Sequence, residues 1–260
     1  MEHASPAAVQ SLVGTTALIT GGGGGMGRGI ATAMAQAGAD VVLLGRTLSK
    51  LHTVASELEP FGHRVLCLQG DVTDRDGMFE AAARIDAEFG GLDTLVTAAY
   101  DSRVGLLTNL GPEDARADWD SGFLGALWSM QACHPLLKRR KGTIINLDAA
   151  TGLKPDTTSF ALYASTKEAI RSLSRTCALE WGPDGIRVNT LIPLAKTGSF
   201  DEWAGRNPDA FRAIVDSIPL GYLGDPAIDV GPAAIFLAGP AARFITGTTL
   251  MADGGRGYLR

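Results

Sequence analysis

Apolar positions along this chain follow two alternating rhythms. Short aliphatic and β-branched runs occupy 15–20, 40–45, 64–69, 94–98, 142–147, 187–192 and 248–251. They lack the strict in–out alternation of a strand with one wet face. They therefore read as strands covered by helices on both sides. Between them lie stretches of roughly 12–25 residues with helical patterning, the usual filling of parallel crossovers. The pattern predicts an α/β fold: a single-domain, Rossmann-type doubly wound parallel sheet of about seven strands over residues 1–260. Residues 196–226 break the rhythm, being rich in Gly, Pro and Asp yet carrying Phe200, Trp203, Phe211 and Ile214. They read as a helical excursion over a cleft, a candidate substrate lid, with a surface decoration as the alternative.

Composition narrows the function classes. The 260 residues are 45% hydrophobic and 20% charged, enough to bury a sizeable core. The net charge is −5, with no basic block, which argues against nucleic acid as a partner. Cys67, Cys133 and Cys177 have no metal-ligand spacing, and their odd number argues against a disulfide framework. The histidines, His3, His52, His63 and His134, sit by no motif. No metal is expected. No apolar run reaches the roughly 18 residues of a membrane span, and the first dozen residues lack a signal-peptide pattern. The expectation is a cytoplasmic protein with a small-molecule partner.

Three local patterns carry chemistry. The first strand ends in Thr20-Gly-Gly-Gly-Gly-Gly-Met-Gly27, and a helix follows at once. Glycines there allow a sharp turn and close approach of a pyrophosphate to the amides of a helix N-terminus. The second strand ends in Leu44-Gly45-Arg46-Thr47, with no carboxylate to bind ribose hydroxyls. Arg46 suits a 2′-phosphate, so NADP(H) is favoured over NAD(H). The alternative for Arg46 is a salt bridge to a surface acid. Tyr163 and Lys167 stand four residues apart in a helical stretch, so they share a face. An ammonium there is expected to pull the phenol's pKa below its usual value of about 10 and make it a usable acid and base.

Together these motifs resemble the short-chain dehydrogenase/reductase family across essentially the whole chain. Thr20-Gly21-x-x-x-Gly25-Met26-Gly27 resembles its cofactor turn, Gly70-Asp71-Val72 its adenine-contact segment, and Tyr163-x-x-x-Lys167 its catalytic pair. Residues 186–193 resemble the segment leading to the nicotinamide, and Ile245-Thr-Gly247 with Asp253-Gly-Gly255 resemble the C-terminal signature. The resemblance implies cofactor contacts at Gly21, Gly23, Gly25, Met26, Gly27, Arg46, Asp71, Val72, Ala98, Ala99, Tyr163, Lys167, Pro193 and Thr197. It implies Tyr163 as proton donor and acceptor, and Lys167 as the residue that holds ribose and tunes Tyr163. It also implies a homo-oligomer, a tetramer or dimer, built through the helices near 119–138 and 161–181.

The chain departs from the family around the reacting centre. Aligning Asn146 and Gly152 puts Ala149 where the family has its carbonyl-polarising serine, preceded by Asp148. In extended backbone those two side chains face opposite ways. The asparagine that anchors a water between the family's lysine and solvent falls on Gly122. The family's Asn-Asn-Ala-Gly becomes Thr97-Ala98-Ala99-Tyr100, and Leu194 replaces a glycine. Losing a positioned donor commonly costs about 10²–10³ in rate. Tyr100, Asp148 and Thr151 are the candidate replacements. Asp148 could instead pair with a substrate amine or be a solvated acid, and Tyr100 could simply pack on the lid. The substrate pocket is expected to include Tyr100, Asp148, Ala149 and Trp203. Three readings remain: an oxidoreductase for a carbonyl, alcohol or imine of a bulky apolar molecule; a non-redox isomerase, lyase or cyclase; and a catalytically quiet binding or assembly protein.

Overall fold

The computed structural model describes residues 11–153 and 159–257, without the side chains of Ser199, Asp201, Glu202 and Trp203. The pocket role expected of Trp203 lies outside the described residues. Seven parallel strands form one sheet in the order β3-β2-β1-β4-β5-β6-β7. They are β1 Thr16–Thr20, β2 Asp40–Gly45, β3 Val65–Gln69, β4 Thr94–Thr97, β5 Thr143–Leu147, β6 Arg187–Pro193 and β7 Thr249–Ala252. Each boundary lies within one residue of the sequence expectation, because β-branched runs between turn residues mark strands locally.

Helices cover both faces: α1 Gly25–Gln36, α2 Leu48–Leu58, α3 Arg75–Phe89, α4 Pro112–Trp119, α5 Gly125–Arg140, α6 Ala161–Trp181, α7 Gly198–Arg206, α8 Pro208–Asp216 and α9 Gly231–Ala238. The strands divide their side chains between two cores. Ala17, Ile19, Val41, Leu43 and Ile145 pack with Ile30 and Met34 of α1 and Leu237 of α9. Leu18, Val42, Leu44 and Ile144 pack with Ile85 of α3, Met130 and Leu137 of α5, and Cys177 of α6. This period of two with both faces buried explains why the runs are apolar without alternation. Cys133 and Cys177 are buried free thiols, and Cys67 is partly exposed.

Strand order reverses direction between β1 and β4, which opens a crevice at the carboxyl ends of the strands. Threonine hydroxyls hold the strand ends there. Ala98 and Ala99 donate backbone N–H bonds to Thr20 Oγ1, at 3.0 and 3.2 Å. Thr97 Oγ1 donates to Asn146 Oδ1 at 2.7 Å, and Asn146 Nδ2 donates to Ser174 Oγ at 2.8 Å. Strands β4 and β5 and helix α6 are thus tied together just below the crevice.

The single helix expected near 119–138 is in fact interrupted. A wide π turn at Asp120–Leu124 joins α4 to α5. Such turns are uncommon and often stand at functional sites. The segment read as a lid contains α7 and α8, with Phe200 and Phe211 in edge contact at 6.0 Å. Among the described residues, no helix is long and apolar enough to cross a membrane, and no group of three or more His, Cys, Asp or Glu could hold a metal ion.

Candidate active site

A cleft of about 760 Å³ runs along the crevice. Gly21, Gly23, Gly25, Met26 and Gly27 form its floor where β1 turns into α1. Gly21 has φ +70°, and a Cβ there would stand 2.8 Å from Ala99 N. A Cβ at Gly27 would stand 2.4 Å from the Gly21 oxygen, so any side chain would force the turn open. Helix α1 starts at Gly25 with no side-chain cap and no acidic residue in its first turn. Its free N–H groups and partial positive charge face the cleft and fit a pyrophosphate.

The other expected cofactor positions line the same cleft. They are Arg46, Asp71, Val72, Ala98, Ala99, Tyr163, Lys167, Pro193 and Thr197. Leu194 lines it as well. These residues suit a nicotinamide dinucleotide: a glycine floor, an uncapped helix start, basic Arg46 and Lys50 beyond β2, and a buried lysine. Arg46 currently makes the surface ion pair weighed above, 3.6 Å from Asp101, with 66% of its side chain exposed. Sequence reasoning missed Lys50, Asp101 and Ser121 along the wall; no short motif distinguishes them.

Tyr163 and Lys167 lie on the first turns of α6, against the end of β5. Lys167 is only 6% exposed, and its Nζ donates to the Leu147 carbonyl at 2.8 Å. Burial pushes its pKa down to about 8, against the raising fields of Asp148 and Asp118. Tyr163 departs from expectation. Burial pushes its phenol pKa up, and the negative fields of Asp148 and Asp118 push it further. The dry pocket and two carboxylates outweigh the ammonium, whose Nζ is turned toward Leu147.

Tyr100 has a defined place. Its ring stacks on Tyr163, with centroids 5.4 Å apart and planes at 28°. Lys167 Nζ lies 4.6 Å from the Tyr100 centroid, a cation–π distance. Tyr100 therefore packs on Tyr163 and Lys167. Its hydroxyl donates to Asp118 Oδ1 at 2.7 Å. Asp118, 1% exposed on α4, also accepts from Thr166 Oγ1 at 2.7 Å and from the Arg103 backbone N–H at 2.8 Å. Nothing in the sequence marks Asp118, which stands in a helical stretch among other acids. Its partners lie 15 to 48 positions away.

Gly122, in the π turn, explains how Tyr100 fits. A Cβ there would lie 2.7 Å from Tyr100 Cε2 and 2.4 Å from Thr166 Cγ2. The side chain missing at 122 and the bulk gained at 100 fill one space. Two departures from the family are thus one packing solution.

Asp148 lines the cleft, whereas Ala149 is not among its lining residues. Asp148 is 3% exposed, and its Oδ1 accepts from the Ala149 backbone N–H at 2.7 Å. Its Oδ2 is buried with no hydrogen-bond partner among the described residues. Burial lifts its pKa to about 6, opposed by the nearby Lys167. It is a buried acid near Lys167, not a solvated strand-end charge.

A seven-stranded doubly wound sheet, a glycine turn at a helix start and a Tyr and a buried Lys one helical turn apart on the same cleft fit a dinucleotide-dependent oxidoreductase. Residues 22–256 match the family model described as enoyl-(acyl carrier protein) reductase. The chain is 37% identical over 255 residues to 12α-hydroxysteroid dehydrogenase of a Clostridium species, covering 94% of this chain and 97% of that one. A short-chain dehydrogenase of Burkholderia cenocepacia solved with NADP superposes with TM-score 0.87 at 29% identity, covering 95% of this chain and 99% of that one. A 7α-hydroxysteroid dehydrogenase solved with NADH and 7-oxo glycochenodeoxycholic acid superposes with TM-score 0.89 at 26% identity, covering 96% and 97%. The chain belongs to the short-chain dehydrogenase/reductase family and is an NAD(P)-dependent enzyme of that kind.

Two outcomes follow from this geometry. Gly122→Ala overpacks the space held by Tyr100 and should destabilise the fold by about 1–3 kcal/mol. In a Tyr100→Ala background the penalty should shrink, so a double-mutant cycle by urea unfolding should show coupling. Independent, additive penalties would contradict the shared space. The second outcome concerns pH. Asp148 binds its proton more tightly in the folded chain than at the unfolded value near 3.9, so its contribution to stability is present at low pH and is lost as pH rises through about 6. Asp148→Asn should gain stability relative to the wild type as pH rises from about 4 to about 6.5. A difference that stays flat, or runs the other way, would show that burial does not dominate at Asp148.

Proposed function

We propose that this enzyme is an NADP(H)-dependent oxidoreductase that interconverts an alcohol with a carbonyl, or an amine with an imine, on a bulky and largely apolar small molecule. The observation that carries the reading is that Tyr163, half-buried, and the buried Lys167 line the same cleft as the glycine turn. A bound dinucleotide supplies or accepts the hydride. The residues of the chain handle the proton. Tyr163 gives its phenolic proton to the substrate oxygen or nitrogen during reduction and takes it back during oxidation. Lys167 holds the positive charge beside it, fixed by the Leu147 carbonyl and the Tyr100 ring. The polarising group is atypical. Ala149 offers only a methyl, and the Tyr100 hydroxyl is committed to Asp118. Among the remaining candidates, Asp148 stands at the cleft.

The NADP preference is supported by the charge at the end of β2. Arg46 and Lys50 line the cleft there, and 44–47 contains no carboxylate. The present Arg46–Asp101 contact is an exposed pair, a type that contributes about 0–1 kcal/mol and yields easily to a phosphate. Similarity to the NADP-bound Burkholderia enzyme agrees with this preference, while similarity to the NADH-bound hydroxysteroid dehydrogenase shows that the fold accepts either. A second cavity of about 660 Å³ shares Leu194 with the cleft and is lined by Leu220, Tyr222 and Met251. Its apolar wall and the two hydroxysteroid dehydrogenase relatives favour a substrate of steroid size. Helices α7 and α8 would serve as the lid over it.

The direct test follows NADPH oxidation with a panel of steroid ketones, smaller cyclic ketones and imines. Tyr163→Phe should lower turnover by about 10²–10⁴-fold while NADPH still binds. Arg46→Ala should weaken NADPH roughly tenfold or more and leave NADH unchanged. Tighter binding of NADH than NADPH, indifferent to Arg46→Ala, would remove the NADP preference; substrate conversion with no net cofactor oxidation would remove the redox reading. The homo-oligomer belongs to the same proposal, and light scattering at micromolar concentration should give a dimer or tetramer mass rather than a monomer.

A further inference from the structure

Lys167 needs a route by which protons reach it from solvent. The resemblance places that route at the asparagine position, and here that side is closed. The Tyr100 ring stands 4.6 Å from Nζ and fills the space above Gly122. The hydroxyls of Tyr100 and Thr166 both donate to Asp118. No room is left for a methyl, still less for an asparagine side chain with its water.

The surroundings of Asp148 are unusual in another way. Four buried side-chain atoms have no hydrogen-bond partner among the described residues near this helix: Asp148 Oδ2, Thr151 Oγ1, Glu168 Oε1 and Arg171 Nε. Asp148 directly follows Leu147, whose carbonyl holds Lys167 Nζ. Glu168 and Arg171 sit beside Lys167 and one turn later on α6, and they pair with each other. Thr151 lies in the turn after β5. Buried polar atoms rarely stay orphaned, and a group of them in one region is the setting in which internal water is held.

We propose that Asp148 and the polar pocket of Thr151, Glu168 and Arg171 form the proton route of Lys167, through internal water, in place of the route that Tyr100 closes. The inference rests on the oxidoreductase reading and deepens it. During reduction, the substrate takes the Tyr163 proton, and a proton from the Lys167 ammonium restores the phenol. The Asp148 carboxyl then gives its proton to the neutral Lys167 amine. Pocket water, exchanging with solvent, returns a proton to the Asp148 carboxylate, so one solvent proton enters per turnover. Oxidation runs the same transfers backward. Burial brings the two proton affinities together, Asp148 up to about 6 and Lys167 down to about 8, so neither transfer is steeply uphill. The charged groups facing the pair are Glu168 and Arg171 from α6 and Asp118 from α4.

Asp148→Asn and Tyr100→Phe separate this route from a merely structural role. In cofactor-free protein, the Lys167 ammonium is titrated by NMR of labelled lysine. Asp148→Asn should lower its midpoint by about one pH unit or more, whereas Tyr100→Phe, which keeps the ring and lies off the route, should move it less. In turnover with NADPH, Asp148→Asn should change the shape of the pH–rate profile and raise the solvent deuterium effect, and Asp148→Glu should recover part of both. If Asp148→Asn folds poorly, Thr151→Val is read in the same pH–rate profile, with the same direction expected. A Lys167 midpoint and a pH–rate profile that both match the wild type in Asp148→Asn overturn the route while leaving reductase activity in place. Failure of the oxidoreductase reading looks different: no wild-type turnover, with the Lys167 midpoint still following Asp148.

Discussion

The arrangement of this site depends on burying one ammonium group. Lys167 Nζ sits almost out of solvent at the end of β5, where an unpaired charge would cost several kcal/mol. The Leu147 carbonyl, the face of Tyr100 and the fields of Asp148 and Asp118 offset that cost. These supports come from the last residue of β5, the residue that follows it, the loop after β4, and α4. Helix α6 is thereby fixed against the sheet at the point where Tyr163 faces the cleft.

Around that charge the site has been repacked as a unit. Tyr100 occupies the volume that Gly122 leaves, stacks on Tyr163, and ties α4 through Asp118 to Thr166 on α6. The hydroxyl of Thr97, where the family has an amide, ties β4 to Asn146, and Thr20 holds the backbone of Ala98. The electrostatics are set by two buried carboxylates, Asp118 and Asp148, which oppose ionisation of the phenol. The acid–base properties of Tyr163 thus reflect its surroundings more than its spacing from Lys167.

The strands, their parallel layering and the glycine turn were legible in the chain because they rest on neighbours in sequence. A β-branched run bounded by glycines is a strand wherever it lies, and a glycine cluster between a strand and a helix has one common use. The resemblance also located the departures at Ala149, Gly122, Tyr100 and Leu194. It could not say that two of them touch. Tyr100 and Gly122 look like separate losses in a linear reading, and only their contact shows a compensation. Asp118 was invisible because its partners are far apart in sequence. The long helix expected near 119–138 carries a π turn at Asp120–Leu124, which the linear pattern did not mark, and the missing side chain of Gly122 within it leaves room for the Tyr100 ring.

Local pattern was therefore enough for the fold, the glycine turn and the placing of Tyr163 and Lys167 on one face of a helix, since each follows from backbone periodicity or from spacing on one helix. The working state of that pair was settled elsewhere. Proton affinity depends on burial and on charges brought in from remote segments, and both exist only once α4, β5 and α6 have come together. The same serine-free segment could have ended in solvent; folding instead buried Asp148 near Lys167, where its charge has chemical consequences.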